Sequence, residues 1–471
     1  VYSIEWIVPV FRKVRTRWLA AACACWASAG QALDLDPAEY PGSLYPSREM
    51  QPEEPAPDEQ DDGAESVWDA IAAALANNPD VQIARSQFAA SKADRFAALG
   101  QFLPDIEVTA AYADENLRSA TLQTLQDRDG ATLGVTAVQP ISQGLSAFNR
   151  FRSAQARQSQ SELAFQSVRL QTALEAAQAH AAVILAREVV DHRVSNLALV
   201  SRQFEIVSKR ERAGAQGRTG VEQARVRRAQ ANVDLAAARA TLAESEAAYQ
   251  RVTGRAAPPV FAADDDDLPS ATERLEESIE VARRQNPSLN AAEASVQAAK
   301  FSKHAAVGDF APRVTLEGSY FRRFGADQTI TQQDEEYQLV ARMRMPIFNQ
   351  GRNIAALRTA RASIREAHAQ YERTRLSVDE TVTRSWRQLT EAVTRRVSAR
   401  EGIDAAKQSV RGLQMEYEAG QRTVIDVLDG QRDLVQAEIS LSQAEFDLRV
   451  SRYELAAATG AILDAVDALD R

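Results

Sequence analysis

The stretch Ala311-Pro312-Arg313-Val314-Thr315-Leu316-Glu317-Gly318-Ser319-Tyr320 decides how this chain is read. Beyond the proline, Val314, Leu316 and Tyr320 alternate with Thr315, Glu317 and Ser319, the period-two pattern of a strand whose faces meet different surroundings. An equivalent stretch stands 208 residues earlier, where Leu103-Pro104-Asp105 opens onto Ile106-Glu107-Val108-Thr109-Ala110-Ala111-Tyr112. Two further alternating runs are Leu133-Gly134-Val135-Thr136-Ala137 and Tyr337–Met345. In the last, Arg342 and Arg344 share one face while Leu339, Met343 and Met345 share the other. The pattern predicts two hairpins, each with a long polar connection (about 116–129 and 325–335) and each ending at a proline.

The two hairpins sit inside a larger duplication. Asn78-Pro79 returns as Asn286-Pro287, again at 208. Gln139-Pro140-Ile141 returns as Met345-Pro346-Ile347, Ala213-Gly214 as Ala419-Gly420, and Thr253-Gly254 as Thr459-Gly460, all at 206. Ordered landmarks with so small a drift mark one unit of about 200 residues present twice, over 66–254 and 273–463. In each unit a short helix is stopped by Asn-Pro, because the residue before proline is pushed out of the helical region. A second helix ends near Gly100 or Gly308. After the hairpin, 146–212 and 353–418 hold no proline and almost no glycine, which predicts rods of about 100 Å. Gly214 and Gly420 are the expected helix-turn glycines, in breaks at 214–220 and 420–423, and a helix of about 33–38 residues returns antiparallel after each. Sparse apolar positions, often alanine, predict close coiled-coil-like seams.

Aromatic residues make up 6% of the chain and the formal net charge is −10. A basic, phosphate-binding face is not expected, and with it no nucleic-acid partner. Beyond the N-terminus no window holds 18 uninterrupted apolar residues; that excludes a helical membrane span there but not a membrane β-barrel. Arg12, Lys13, Arg15 and Arg17 precede a short apolar run and the small residues around Ala29 and Ala32, so 1–32 reads as a signal peptide cleaved after one or the other. The only cysteines, Cys23 and Cys25, lie within it, and the apolar run before Cys23 is short for lipidation. Residues 33–65 read as a disordered acidic leader, and 464–471 as a tail. The stretch 255–272 reads as an inter-repeat linker, in which Asp264-Asp265-Asp266-Asp267 is a solvated loop rather than a cation site. His180, His192, His304 and His368 stand isolated on helical stretches as surface or seam residues. With no phosphate loop, CxxC or HExxH, no catalytic, cofactor or metal site is expected.

Four amphipathic strands cannot stand alone in lipid, where every backbone N–H and C=O must be paired. The smallest closed barrels need about eight strands. Closure therefore requires copies of the chain, with cyclic symmetry the usual form. A rival of another class, a structural coiled-coil protein of the envelope, leaves the strands and the signal segment without a purpose.

The duplicated order of helix, Asn-Pro, helix, hairpin, long helix, glycine break and helix, behind a signal segment, resembles the TolC family of outer-membrane efflux proteins over about 66–463. The likeness is most specific at Tyr417-Glu418-Ala419-Gly420-Gln421-Arg422-Thr423-Val424-Ile425-Asp426-Val427-Leu428-Asp429. This segment looks like the family's turn at the periplasmic end of the tunnel, particularly in members serving type I secretion. The resemblance implies an α+β membrane protein: a homotrimer whose twelve-stranded β-barrel lies in outer-membrane lipid and continues as a periplasmic α-helical tunnel of long antiparallel helices. An equatorial belt would come from the inter-repeat and terminal segments. It also implies a passive duct, fed through a periplasmic adaptor (membrane fusion) protein by an inner-membrane ABC or proton-driven transporter. Type I protein secretion is favoured by the turn, with small-molecule (drug or metal) efflux as the alternative.

The resemblance further assigns Asp426 and Asp429 to a carboxylate ring at the periplasmic entrance. It assigns Tyr417 and Arg422 to links that hold the entrance closed, and Thr219 to a gating position. Gly220 falls where the family's namesake carries an Asp that accepts those links, so the latch would have to use Thr219, Glu222 or backbone oxygens, or be weaker. Asp426 and Asp429, at i and i+3, share one face of a helix start, where the macrodipole alone favours acidic side chains. Around a threefold axis the pair would give six carboxylates about a narrow opening, an arrangement that binds cations.

Overall fold

In a computed structural model of the chain, the described residues are 64–118, 125–143, 145–214, 217–262, 274–325 and 334–462. The signal segment, all but the last two residues of the leader, the four aspartates, the hairpin tips and the tail lie outside them. Two matching series of elements follow one another. The first is α1 (Val67–Asn77), α2 (Pro79–Gly100), β1 (Asp105–Arg118), β2 (Leu125–Ser142), α3 (Ser146–Arg212) and α4 (Arg218–Thr253). The second is α5 (Leu275–Gln285), α6 (Pro287–Gly308), β3 (Arg313–Gly325), β4 (Asp334–Arg344), α7 (Arg352–Glu418) and α8 (Val424–Thr459).

The repeated landmarks turn out to be two halves of one lock. Asn78 caps α2, its side-chain oxygen accepting from the Asp80 N–H at 2.9 Å, while Pro79 fills the first helical position, where a missing N–H is harmless. The Asn78 amide then donates to the Val252 carbonyl at 3.3 Å, and that of Asn77 to the Thr253 carbonyl at 3.1 Å. The second series repeats this: Asn286 caps α6 through the Ser288 and Leu289 N–H groups and donates to the Ala458 carbonyl at 3.0 Å. Gly254 and Gly460 end α4 and α8 at φ +73° and +83°. Each presses on an Asn-Pro junction, Gly254 on the Asn77 side chain and Gly460 on the Gln285 carbonyl.

Each long helix changes partners along its length. α3 packs on α2 and α6 in its first part, where the Ser153 hydroxyl donates to the Ala298 carbonyl at 3.0 Å. Further on it packs on α4 and α8, where the Gln178 amide donates to Glu454 at 3.3 Å and His192 meets Ser442 at 3.4 Å. α7 likewise packs on α6 and then α8. In the largest shared cluster, Ala173, Ala176 and Ala177 of α3 and Ala456 and Ala457 of α8 are buried with Val67, Ile71 and Leu75 of α1. Alanine lets the backbones approach, so dispersion contacts are gained without bulk.

The strands form one antiparallel sheet in the order β1-β2-β3-β4, so the two repeats are joined through β2 and β3. One face carries Ile106, Val108, Tyr112, Leu133, Val135, Leu316, Tyr320, Tyr337, Leu339 and Met343, nearly all left open; Tyr337 is 87% exposed. The other carries Asp105, Glu107, Thr109, Thr136, Glu317, Ser319, Gln338, Arg342 and Arg344. Gly134, on this polar face, is covered by the Phe321 ring of the neighbouring strand: a β-carbon there would lie 2.5 Å from the ring. The glycine lets the aromatic lie flat across the sheet.

The structure departs from the sequence reading in four places. β2 does not end at Pro140 but continues to Ser142 with a register irregularity. β1 begins opposite Val138, so no β1 residue waits for the N–H that Pro140 lacks. The strands also reach further into the connections than expected, to Arg118 and from Leu125. Third, α4 starts at Arg218, which puts Thr219 and Gly220 in a helical first turn rather than in the break. Fourth, the leader's last residue is anchored: the Ala262 N–H donates to the Glu65 carbonyl at 2.9 Å, and the Tyr249 hydroxyl donates to the Glu65 carboxylate at 2.8 Å. Burial, then that carboxylate, pushes the Tyr249 pKa far up, so the hydroxyl remains a donor. Phe261 of the linker lies edge-on to Tyr249 and to His180, which is buried in the seam.

Candidate functional site

The two turns that reverse the long helices lie together at the far end from the sheet. Gly214 and Gly420 sit at φ +75° and +77° with open space where a β-carbon would be. They are glycines for the backbone conformation of a helix C-terminus. The Gly214 N–H reaches the Glu211 carbonyl at 2.8 Å, and the Gln421 N–H reaches back to the Glu416 carbonyl at 2.8 Å. Beneath them Val200 and Val207 of α3, Ala224 of α4 and Val424 and Leu428 of α8 form a small apolar cluster, with Tyr417 packed against it. The turns differ in how the following helix begins. α4 starts after Gly217, which offers no capping side chain, whereas α8 starts with a reciprocal capping box. There the Thr423 N–H and hydroxyl donate to Asp426 at 2.8 and 2.7 Å, and the Asp426 N–H points back at the Thr423 hydroxyl at 3.4 Å.

Asp426 is therefore engaged in ending the turn. The hydrogen bonds from the Thr423 side chain and then its backbone hold its carboxyl below the usual range. A depressed carboxylate pKa contributes stability that is complete above the unfolded value and is lost as pH falls through the folded one. Fraying of the first turn of α8 is thus expected only in acid, below the ordinary aspartate range. Thr423→Ala is expected to bring it to neutral pH at a cost of about 1 kcal/mol, seen as faster amide exchange at Ile425–Val427 while exchange in α4 stays unchanged.

Asp429 is paired differently: Arg227 of α4 donates to it at 2.5 Å. Asp426, Asp429 and Asp433 line one cavity of about 240 Å³ together with Ala406, Ser409, Leu413 and Gly430. A β-carbon at Gly430 would stand 2.6 Å from Leu413, so α7 and α8 run close beside it. The structure thus brings the two expected aspartates together and adds Asp433, one helical turn beyond Asp429 and legible from that spacing. Among the described residues, no group of three or more His, Cys, Asp or Glu could hold a metal ion within one chain.

Tyr417 and Arg422 find partners the sequence reading did not name. The Tyr417 hydroxyl accepts from Arg210 of α3 at 2.7 Å, and the same guanidinium lies 5.2 Å from the ring centre. Arg422 donates to Glu416 of its own turn at 2.8 Å, which raises its pKa further. Glu222, one expected substitute for the missing Asp, is paired with Arg225 at 3.1 Å. Thr219 is exposed and Gly220 buried, and no hydrogen bond among the described residues joins either to Tyr417 or Arg422. Within one chain, then, Tyr417 links to α3 through Arg210 and Arg422 closes onto its own turn.

Comparison with known proteins follows this geometry. The family model described as "Outer membrane efflux protein" matches residues 70–255 and 278–461, one stretch per series of elements. The outer membrane efflux protein BepC of Brucella suis biovar 1 is 26% identical over 401 residues, spanning 84% of this chain and 86% of that protein. The outer membrane protein TolC of Vibrio cholerae serotype O1 is 24% identical over 407 residues, spanning 85% and 91%. Among solved structures, the channel protein CusC superposes with a TM-score of 0.76 at 19% identity, covering 84% of this chain and 92% of that one; so low an identity speaks to the fold alone.

Proposed function

Because the chain belongs to the outer membrane efflux protein family, and so to outer-membrane transport channels with a periplasmic helical tunnel, we propose that it is one subunit of a homotrimeric export duct. The observation that carries this reading is a four-stranded sheet with one apolar and one polar face and an unpaired strand at each edge. Such a sheet is stable in lipid only when copies close it, and three would make a twelve-stranded barrel with the helices as the wall beneath it. No helix among the described residues is long and apolar enough to cross a membrane. A duct of this kind conducts passively, so a periplasmic adaptor and an inner-membrane ABC or proton-driven transporter would supply the substrate and the energy. A heat-resistant trimer in the outer-membrane fraction is the expected result; a soluble monomer would overturn the reading.

The Arg422–Asp429 segment supports type I protein secretion as the duty of this duct. The second reading, efflux of small molecules such as drugs or metal ions, draws support from two relatives described as an outer membrane efflux protein, BepC, and a cation efflux system protein, CusC. Deleting the gene separates them: loss of a secreted protein from the medium supports the first, hypersensitivity to small toxic molecules the second.

At the entrance, Asp426 and Asp429 lining one cavity supports the carboxylate-ring reading, with Tyr417–Arg210 and Arg422–Glu416 as contacts that hold the turn. Replacing both aspartates (Asp426→Ala with Asp429→Ala) is expected to raise the concentration of multivalent cation needed for half-block of single-channel current by about tenfold. Unchanged block in planar bilayers removes the assignment.

A further inference from the structure

The two edge strands carry opposite charge on the same face and at the same end. Asp105 and Glu107 lie on the polar face of β1 next to the helices, and Arg342 and Arg344 on the polar face of β4 next to the helices. All four side chains are exposed. Within the chain they are incompletely matched. Arg342 reaches Glu317 at 2.9 Å. Arg344, however, stands directly opposite Arg313, an unfavourable like-charge pair, and Arg313 turns to Asp309 at 2.7 Å. Among the described residues no ion pair joins Asp105, Glu107 or Arg344.

The slope of the sheet says what each would meet on a neighbouring copy. Straight across from Asp105, the first residue of β1, lie Val138, Glu317 and Val340. Val340 is four residues short of the end of β4 at Arg344. From β1 to β4 the helix-proximal ends therefore climb four residues, all of it between β1 and β2, while β2, β3 and β4 end within a residue of one another. A next β1 that ends level with β4 places Val340 opposite Thr109 of that copy, and one that climbs two residues more places it opposite Ala111, the two nearest registers that keep polar face beside polar face. In the first, Arg344 meets Asp105 and Arg342 meets Glu107; in the second, Arg344 meets Glu107. A cation faces a carboxylate either way.

Where closure of the sheet brings β4 of one copy beside β1 of the next, we propose that Arg344, helped by Arg342, against Asp105 and Glu107 selects the register and disfavours the alternatives. The proposal rests on the reading of the chain as a subunit of a closed oligomer. Copies oriented alike in a membrane could otherwise join β1 to β1 in parallel, which sets Asp105 and Glu107 beside themselves, or β4 to β4, which does the same to the arginines. Like charges directly opposite disfavour both. The remaining head-to-tail contact is the kind that closes into a ring. Charges pointing inward from edge strands also discourage pairing with unrelated strands.

The test uses the full-length protein in outer membranes, scored as oligomer surviving in SDS at the temperature where half of the unaltered oligomer survives. Arg344→Glu is expected to lower the surviving fraction at least threefold, and Glu107→Arg with Asp105→Arg to do the same. Combining Arg344→Glu with Asp105→Arg alone, or with Glu107→Arg alone, is expected to restore it in whichever register holds, because the facing charges are then exchanged rather than lost. Full survival of Arg344→Glu, or failure of both exchanges to restore survival, overturns the proposal. Should the charge variants fail to reach the membrane, cysteine pairs decide: Arg344→Cys with Asp105→Cys, and Arg344→Cys with Glu107→Cys. Oxidation is expected to link copies through one of the two pairs, and no link through either overturns the proposal. Unaltered protein running as a monomer would instead sink the oligomeric duct itself, so the two failures are distinguishable.

Discussion

Val135→Arg is expected to abolish assembly in the outer membrane, while Thr136→Lys, one residue further on, is expected to leave it intact. Val135 lies on the apolar face of β2, between Val108 of β1 and Tyr320 of β3. Thr136 lies on the polar face, between Glu107 and Ser319. An arginine on the lipid face of a barrel near the midplane costs about 2–4 kcal/mol. Three copies would carry roughly 6–12 kcal/mol per assembly, comparable to the whole stability of a typical domain. A lysine at Thr136 instead meets water and the nearby Glu107 carboxylate. The measurement is the heat-resistant oligomer in the outer-membrane fraction for each variant. Equal loss for both would mean that the sheet does not sit in lipid with the face assigned to it.

The second large effect concerns the lock between the Asn-Pro and Thr-Gly landmarks. Gly460→Val forces a β-branched residue into a left-handed conformation, costing roughly 1–2 kcal/mol. It also places a β-carbon 3.0 Å from the Gln285 carbonyl oxygen, where backbone must give way. Asn286→Ala removes a cap worth about 1 kcal/mol and strands the Ala458 carbonyl, which costs about 1–3 kcal/mol more. Each single variant is expected to lower the helical melting temperature of the detergent-purified protein clearly. The double variant should fall short of the sum, because both break the same junction. Gly214→Val is the control: φ is +75° there but the space is open, so only the conformational cost remains. A Gly214 variant as damaged as the Gly460 one would remove the lock from the explanation.

What the sequence made legible was whatever repeats at a fixed spacing. Alternation in Ile106–Tyr112 and Val314–Tyr320 placed both hairpins, and long runs without proline placed α3 and α7 almost to the residue. The landmarks announced the duplication, although nothing local showed that Asn286 and Ala458 bond to each other across the fold. The candidate site was legible as a list of side chains but not as a set of pairs. Arg210 and Tyr417 are 207 residues apart, and only the packing of α3 on α8, which in turn lies along α7, brings them together. Thr423 and Asp426 lay within reach of sequence reading as a capping box, three residues apart, and the structure gives that role its full geometry. Pro140 misled for a physical reason. It marks a strand end in the sequence, yet β2 runs on to Ser142, with β1 already ended on one side and a register irregularity against β3 on the other.

The two series of elements agree in one respect and disagree in another. Their helices have identical lengths, 11, 22, 67 and 36 residues in each. Their strands do not, being 14 and 18 residues in one and 13 and 11 in the other. One residue inserted in a helix advances everything beyond it by about 1.5 Å and turns it by about 100°, which would unseat every seam downstream. One residue added to a strand at the end away from the helices lengthens the ribbon without moving any helix seam. Loop and strand lengths are therefore free to differ between the halves, whereas a residue gained in one rod would have to be matched in the rods packed against it. The equal rods are a condition of the shared seams, and each half sets the length the other must keep.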